Sequence, residues 1–292
     1  MALSTTDREN DEKGWATMLN AMTRTTMIRI AIWLIPCAFT LPVQAQTCCD
    51  RAAVAKRACS HSCCVAEAKV NSICFKCNVG RTAMPFNGKD LDAWAVRGKQ
   101  EMSRWTVGLA RVSRDNPKVL EVEKGEGQMV NVATKHNKSL DIYSKAKFGD
   151  CRIELELMLA KDSNSGIYVM GEYEIQVLDS FAKKETTFRD MGGIYGAVPP
   201  RVNASKPSGE WQRYVIEFLA PRFDEHGNKT ENGRFLKIVL NDQVIHENVE
   251  LDGVCAGGLT GQESSTGPVM FQGDHGPVAY RNLRITDLSA LP

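Results

Sequence analysis

The sequence predicts a single all-β domain, a sandwich or a jelly roll, on three observations. Short runs of alternating apolar and polar residues recur ten times after Met84. Gly, Pro, Asn and Asp bound these runs. No long segment in that part carries a helical period. Strands of this number and spacing suit two packed sheets.

The runs are residues 105–113, 119–123, 128–132, 151–159, 167–170, 173–178, 211–219, 235–240, 269–271 and 278–285. The run 151–159 alternates most plainly, with Ile153, Leu155 and Leu157 facing in and Arg152, Glu154 and Glu156 facing out. Runs 167–170 and 173–178 flank Gly171-Glu172, which reads as a tight hairpin. In the second of these, Tyr173, Ile175 and Val177 share one face, and Glu174 and Gln176 share the other. A carboxylate beside a carboxamide, between strands this apolar, is more than a solvated edge needs. Alternating polar residues are also what a half-exposed strand carries. Asn164-Ser165-Gly166 and Asp179-Ser180 add polar groups at the two ends of the same unit. Residues 181–207 lack strand alternation, and a loop that long in a compact domain is usually functional.

Three regions are expected: an N-terminal extension with a signal peptide over 1–45, a Cys-rich segment over 46–81, and the β domain over 82–292. Arg24 and Arg29 precede an apolar stretch, residues 30–41, and Val43-Gln44-Ala45 offers a small-residue cleavage site. The stretch is short and broken by Pro36, which favours a cleaved signal over a membrane span. An uncleaved interfacial anchor is the alternative. The expected location is periplasmic or secreted, with no stable membrane insertion after cleavage and with Met22 or Met27 as the true start. Seven of the ten cysteines crowd between Cys48 and Cys77 in the pattern C-C-x9-C-x3-C-C-x9-C-x2-C. In an exported chain these thiols would be oxidised to disulfides. Zinc on Cys74 and Cys77 is the alternative, disfavoured by the adjacent cysteines, and Asn78 stands where covalent haem would need His. With 36 Lys plus Arg against 35 Asp plus Glu, the charge balance argues against a nucleic-acid partner.

Several motifs stand in order: F-N-G-K-D-L-D-A-W at 86–94, N-S-G-I-Y at 164–168, E-Y-E-I-Q-V-L-D at 172–179 and G-G-I-Y-G at 192–196. K-P-S-G-E-W-Q at 206–212 and G-P-V-M-F-Q-G-D-H-G-P-V-A-Y-R-N-L-R-I at 267–285 complete the set. Together, over roughly residues 84–288, they resemble the motifs of the 3-keto-disaccharide hydrolase family. Gln212 stands where the family usually has Asn. The resemblance implies a concanavalin-like jelly roll of two curved antiparallel sheets with a carbohydrate site on the concave face. It also implies sugars already oxidised at C3. The ketone acidifies the C2 hydrogen, a base removes it, and the group at C1 leaves by elimination; water can then add back.

His275, in a Gly-flanked turn inside the last matched motif, is the candidate for proton transfer, against the alternative of a plain surface histidine. Arg281, on the following strand, is the candidate for the developing oxyanion, or an outward charge paired with a carboxylate. Glu174 and Gln176 would bind substrate, or a divalent metal through oxygen. Asn164 and Ser165 could bond sugar hydroxyls, Asp179 could do so or cap a turn, and Tyr195 and Trp211 offer stacking faces that could equally be core. His61, His136, His226 and His246 sit in polar contexts and carry no expected role. Two functions follow: an exported enzyme acting on 3-keto-glycosides, or a carbohydrate-binding, lectin-like module. Converging ionisable groups favour the enzyme, and an aromatic platform without them favours the lectin.

Overall fold

The computed structural model describes residues 82–289. The expected signal peptide and Cys-rich segment, with the disulfides assigned to it, lie outside the described residues. Within them, Cys151 and Cys255 are free thiols.

The strands are β1 (Thr82–Ala83), β2 (Trp94–Val96), β3 (Trp105–Val112), β4 (Leu120–Asn131), β5 (Ile142–Ser144), β6 (Cys151–Leu159), β7 (Asn164–Val169) and β8 (Tyr173–Leu178). After a long loop come β9 (Gln212–Leu219), β10 (Arg222–Phe223), β11 (Lys229–Glu231), β12 (Gly233–Leu240), β13 (Gln243–Leu251), β14 (Met270–Phe271) and β15 (Val278–Asp287). The helical element among the described residues is one 3-10 turn, Gln100–Met102. The large sheet runs β13-β12-β9-β6-β15-β4-β3, with β1 also on β15, and the small sheet runs β2-β5-β14-β7-β8. The pairings are antiparallel. This is the jelly-roll sandwich the alternating runs predict. Late strands sit among early ones, β14 beside β7 and β15 between β6 and β4.

The ten expected runs all fall in strands, with 119–123 and 128–132 joined into the single long β4. Strand β13 escapes the pattern because Asn248 turns left-handed (φ 52°) and breaks its alternation. Strands β1, β2 and β5 are only two or three residues long, too short to show a period. The β7–β8 hairpin turns one residue earlier than expected. Met170 (φ 58°) and Gly171 (φ 75°) are both left-handed, and Glu172 N–H donates to the Val169 carbonyl at 3.1 Å.

The sheets meet in an apolar core that takes Ile167, Val169, Ile175 and Val177 from the small sheet and Leu155, Leu157, Tyr214 and Ile216 from the large one. An aromatic spine runs through it. Phe271 of β14 stacks on Tyr280 of β15 at 3.9 Å between centroids, with Trp94 on the far side of Phe271 at 5.5 Å and Trp105 beside Tyr280 at 6.1 Å. Truncating Phe271 to Ala is expected to cost about 3–5 kcal/mol. Ser165 Oγ lies 3.0 Å from the buried Tyr280 hydroxyl, so the spine's polar atom is satisfied. Because β7 and β8 send their odd-numbered residues into this core, their even-numbered residues point away from it. In register across the small sheet, Tyr143, Met270, Tyr168 and Glu174 then form one row on its outer face.

Candidate active site

Glu174 sits on the edge strand of that outer face, β8, and is nonetheless buried. Gly166, on the neighbouring strand, makes the room: a Cβ there would fall 2.3 Å from Glu174 Oε1 and 2.9 Å from the Tyr168 ring. Tyr168, in register with Glu174 on β7, brings its hydroxyl near the carboxylate and favours its ionised form. Gln176, next on the same face, donates through Nε2 to Asn164 Oδ1 at 2.6 Å. The edge of β8 is covered by the first part of the expected functional loop. Gln176 N–H donates to the Gly193 carbonyl at 2.8 Å and Tyr195 N–H to the Glu174 carbonyl at 3.0 Å.

The turn between β14 and β15 brings a second group to this face. His275 Nδ1 and Asp274 Oδ1 form a short hydrogen bond, which leaves Nε2 without a protein partner among the described residues. Asp141, just ahead of β5, accepts from Gly273 N–H at 3.0 Å and lies 3.5 Å from the Arg97 guanidinium. These charges act on one another. Burial, more than anything else, pushes the Glu174 carboxyl up to about 7. The Tyr168 hydroxyl and the His275 charge act against that rise, while Asp141 and Asp274 add to it. Burial likewise raises Asp141, helped by the charge of Asp274. The hydrogen bond to Asp274 holds His275 above the ordinary imidazole value, and the same bond holds Asp274 below the usual carboxylate range.

A loop between β13 and β14 forms the third wall. Its anchor is the buried Glu172, which accepts from Thr260 N–H at 2.8 Å, Thr260 Oγ1 at 2.7 Å and Gly261 N–H at 3.0 Å. Arg97 holds the same loop by donating to the Gly257 and Gly258 carbonyls at 2.8 and 3.0 Å. Cys255 lies against Glu174, whose N–H donates to its sulfur at 3.3 Å. Burial, then the charge of Glu174, pushes that thiol up to about 12, so it is a neutral neighbour. Between this loop and Tyr195 opens a cleft of about 520 Å³ with Glu174, Tyr195, Val254 and Cys255 in its lining. Among the described residues no three His, Cys, Asp or Glu side chains are grouped to hold a metal ion, so Glu174 and Gln176 find no such third ligand.

Residues 83–286 match the family described as the 3-keto-alpha-glucoside-1,2-lyase-like domain. The chain belongs to that family. A 3-keto-disaccharide hydrolase of Bacteroides thetaiotaomicron is 23% identical over 173 residues, covering 50% of this chain and 55% of that protein. The chain thus spans about half the length of the curated relative it matches. A crystal structure of a candidate glycosyl hydrolase from Parabacteroides distasonis is 28% identical, with a TM-score of 0.54 over 71% of this chain and 84% of the other.

Within this lyase-like domain the structure gathers most, but not all, of the residues singled out from the sequence. Glu174, Gln176, Asn164 and His275 come together on the small sheet's outer face, and Tyr195 lines the cleft beside Glu174. Arg281 and Trp211 do not belong with them. Tyr280 points into the core, so Arg281 on the same strand points out from the large sheet. There its Nε donates to Glu156 at 2.6 Å and its guanidinium lies 3.8 Å over the Trp211 ring, beside an apolar patch that includes Val130 and Ala279. Asp179 caps a turn, accepting from Asp162 N–H at 2.9 Å, after β8 has ended at Leu178. Ser165 faces the core rather than the cleft. Gln212 is structural: it accepts from Lys206 N–H at 2.8 Å and Asn241 Nδ2 at 2.6 Å. His246 is buried, with Nε2 2.8 Å from the Gly192 carbonyl, so its context is not the polar one its neighbours suggest. Sequence reasoning missed Tyr168, Asp141, Asp274, Arg97 and Cys255. Only the first and third carry a local signal, Tyr168 in register with Glu174 and Asp274 adjacent to His275.

Proposed function

We propose that this domain cleaves the glycosidic bond of 3-keto-glycosides by elimination, with hydration completing a net hydrolysis. One observation carries the reading: a buried carboxylate, Glu174, raised to about 7 in the wall of a cleft, close enough to feel the charge of a histidine that its bond to Asp274 holds above the ordinary imidazole value. A general base works best with a pKa near the operating pH. Glu174 takes the hydrogen from C2, whose electrons move into the enolate of the C3 ketone. The enolate then collapses, the C1–O bond breaks, and His275 gives its proton to the departing oxygen. Water adding across the new C1–C2 double bond restores the saturated sugar. Asn164 and Gln176, bonded to each other on the same face, would bind sugar hydroxyls, and Tyr195 offers the cleft an aromatic wall.

The family membership and the printed names of its relatives support a carbohydrate substrate of this class. The decisive experiment incubates the purified chain with a 3-keto-glucoside, with and without chelator, and follows aglycone release together with the absorbance of the unsaturated intermediate. Release that disappears in Glu174→Gln supports the reading. Sugar binding without release by the parent would replace it with the lectin-like alternative. Export is the second part of the proposal and rests on the apolar stretch 30–41. N-terminal sequencing of the secreted or periplasmic protein should find cleavage after about Ala45, and an intact N-terminus there would overturn it.

A further inference from the structure

The turn that presents His275 is four residues long, Gly273-Asp274-His275-Gly276, and its two ends are held from beneath by one side chain. Asn131, the last residue of β4, is fully buried. Its Nδ2 donates to the Gly273 carbonyl at 2.7 Å and to the Gly276 carbonyl at 3.0 Å. Both hydrogens of the carboxamide are therefore used on the two residues that bracket Asp274 and His275. Its Oδ1 accepts from Ala133 N–H at 3.3 Å, which fixes the amide's orientation. The glycines at the ends are pressed against their surroundings. A Cβ on Gly273 would meet the Leu140 carbonyl at 2.0 Å, and one on Gly276 would meet Ser163 Oγ at 2.5 Å and Asn164 N at 3.0 Å. Gly273 N–H is used as well, on Asp141. The turn is thus tied to β4 by Asn131, to the β5 approach by Asp141, and packed against the start of β7, which carries Asn164.

We propose that Asn131 is the positioning residue of this turn, clasping both of its ends so that the Asp274–His275 pair is aimed across the outer face of the small sheet at Glu174. Asn131 touches no substrate and acts through His275. Exposed turns with a single hydrogen bond sample several conformations, whereas a group that transfers a proton must be held within about half an ångström of its productive place. A doubly donating amide can serve as such a clasp, and an aspartate of the same shape cannot, because its carboxylate would face two carbonyl oxygens. The proposal rests on the reading of His275 as the proton donor, and the experiment keeps the two separable.

The test uses the full chain and its Asn131→Leu variant, which removes both donors without adding a charge near His275. His275 is titrated by NMR, its resonance identified by its loss in His275→Gln, and kcat and KM are measured on a 3-keto-glucoside. With the clasp broken, the His275 midpoint should fall toward the ordinary imidazole value. In the same variant kcat should drop about tenfold or more, with KM little changed. A folded variant whose His275 titrates as in the parent would overturn the proposal, since a role in stability alone would leave that midpoint where it was. If the variant does not fold, the parent decides: the Asn131 side-chain amide resonances should shift as His275 titrates, and resonances flat through that range overturn the proposal. A parent that releases no aglycone sinks the functional reading, and the NMR arm still settles the positioning.

Discussion

The outer faces of the two sheets carry similar chemistry to different ends. On the large sheet, Glu156, Arg281 and Trp211 form a carboxylate–cation–aromatic cluster in which every charge is answered: Arg281 donates to Glu156 and lies over the Trp211 ring. Both charged side chains there are partly exposed, so water shares the load. On the small sheet, Glu174 has a tyrosine hydroxyl near it and, among the described residues, no guanidinium or ammonium bonded to it, and loops shield it from solvent. Two more carboxylates, Asp141 and Asp274, stand close enough to raise it further. A satisfied charge stabilises a surface, while an unsatisfied one can take a proton from something else. The difference lies less in which residues are present than in which of them are left without a full partner.

The largest effect should follow from removing the unsatisfied charge. Glu174→Gln keeps the shape, so turnover of a 3-keto-glucoside should fall by about 10²-fold or more with the fold intact. His275→Ala should cost roughly the same. The parent's kcat/KM should follow a bell in pH. Its acid limb lies at about 7, where Glu174 must lose its proton, and its basic limb lies above the ordinary imidazole value, where His275 must keep one. In His275→Gln the basic limb should vanish and the acid limb remain. A profile flat from pH 5 to 9 would remove both assignments.

The same frustration has a stability signature, smaller and of opposite sign. Folding raises Glu174 from 4.5 to about 7, so the folded state prefers the protonated form. The ionised form is strained by up to about 3 kcal/mol, absent below the ordinary carboxylate range, growing as pH rises through it, and full above about 7. Glu174→Gln should therefore raise the thermal midpoint at pH 8 and raise it much less at pH 5. Equal shifts at the two pH values would mean that Glu174 is better solvated than its burial indicates.

Much of this contrast was legible in the residues. Strand parity alone put Glu174 and Gln176 on one face, and Gly-flanking alone put His275 in a turn. The error at Arg281 is instructive because its parity was legible too: Val278 and Tyr280 are apolar, so Arg281 had to face away from the core. Glu174 also faces away from the core. Parity cannot say that β8 belongs to one sheet and β15 to the other, so two outward faces on opposite sides of the sandwich looked like one. Arg97, Asp141 and Cys255 carry no local pattern, since they sit in or beside short strands and loops that only the folded topology brings to Glu174. Asn131 ends a strand whose alternation is blurred around Gly125 and Gly127, and nothing near it in sequence hints at a turn about 140 residues later, a pairing visible only through its two hydrogen bonds.

The smallest effect belongs to the satisfied cluster and sharpens the comparison from its other side. Arg281→Ala removes a hydrogen bond of 2.6 Å to Glu156 and a guanidinium lying 3.8 Å above Trp211. The side chains of the pair are 32% and 25% exposed, so solvent screens much of the attraction. The cation–aromatic contact adds a similar amount, and chemical denaturation should show a loss of only about 1 kcal/mol. Charge screening by salt should shrink that loss further, because the electrostatic part fades while the packing on Trp211 stays. Turnover should be unchanged, since no atom of Arg281 reaches the face that carries Glu174. A fall in turnover comparable to that of Glu174→Gln would bring Arg281 back to the chemistry and end the distinction between the two faces.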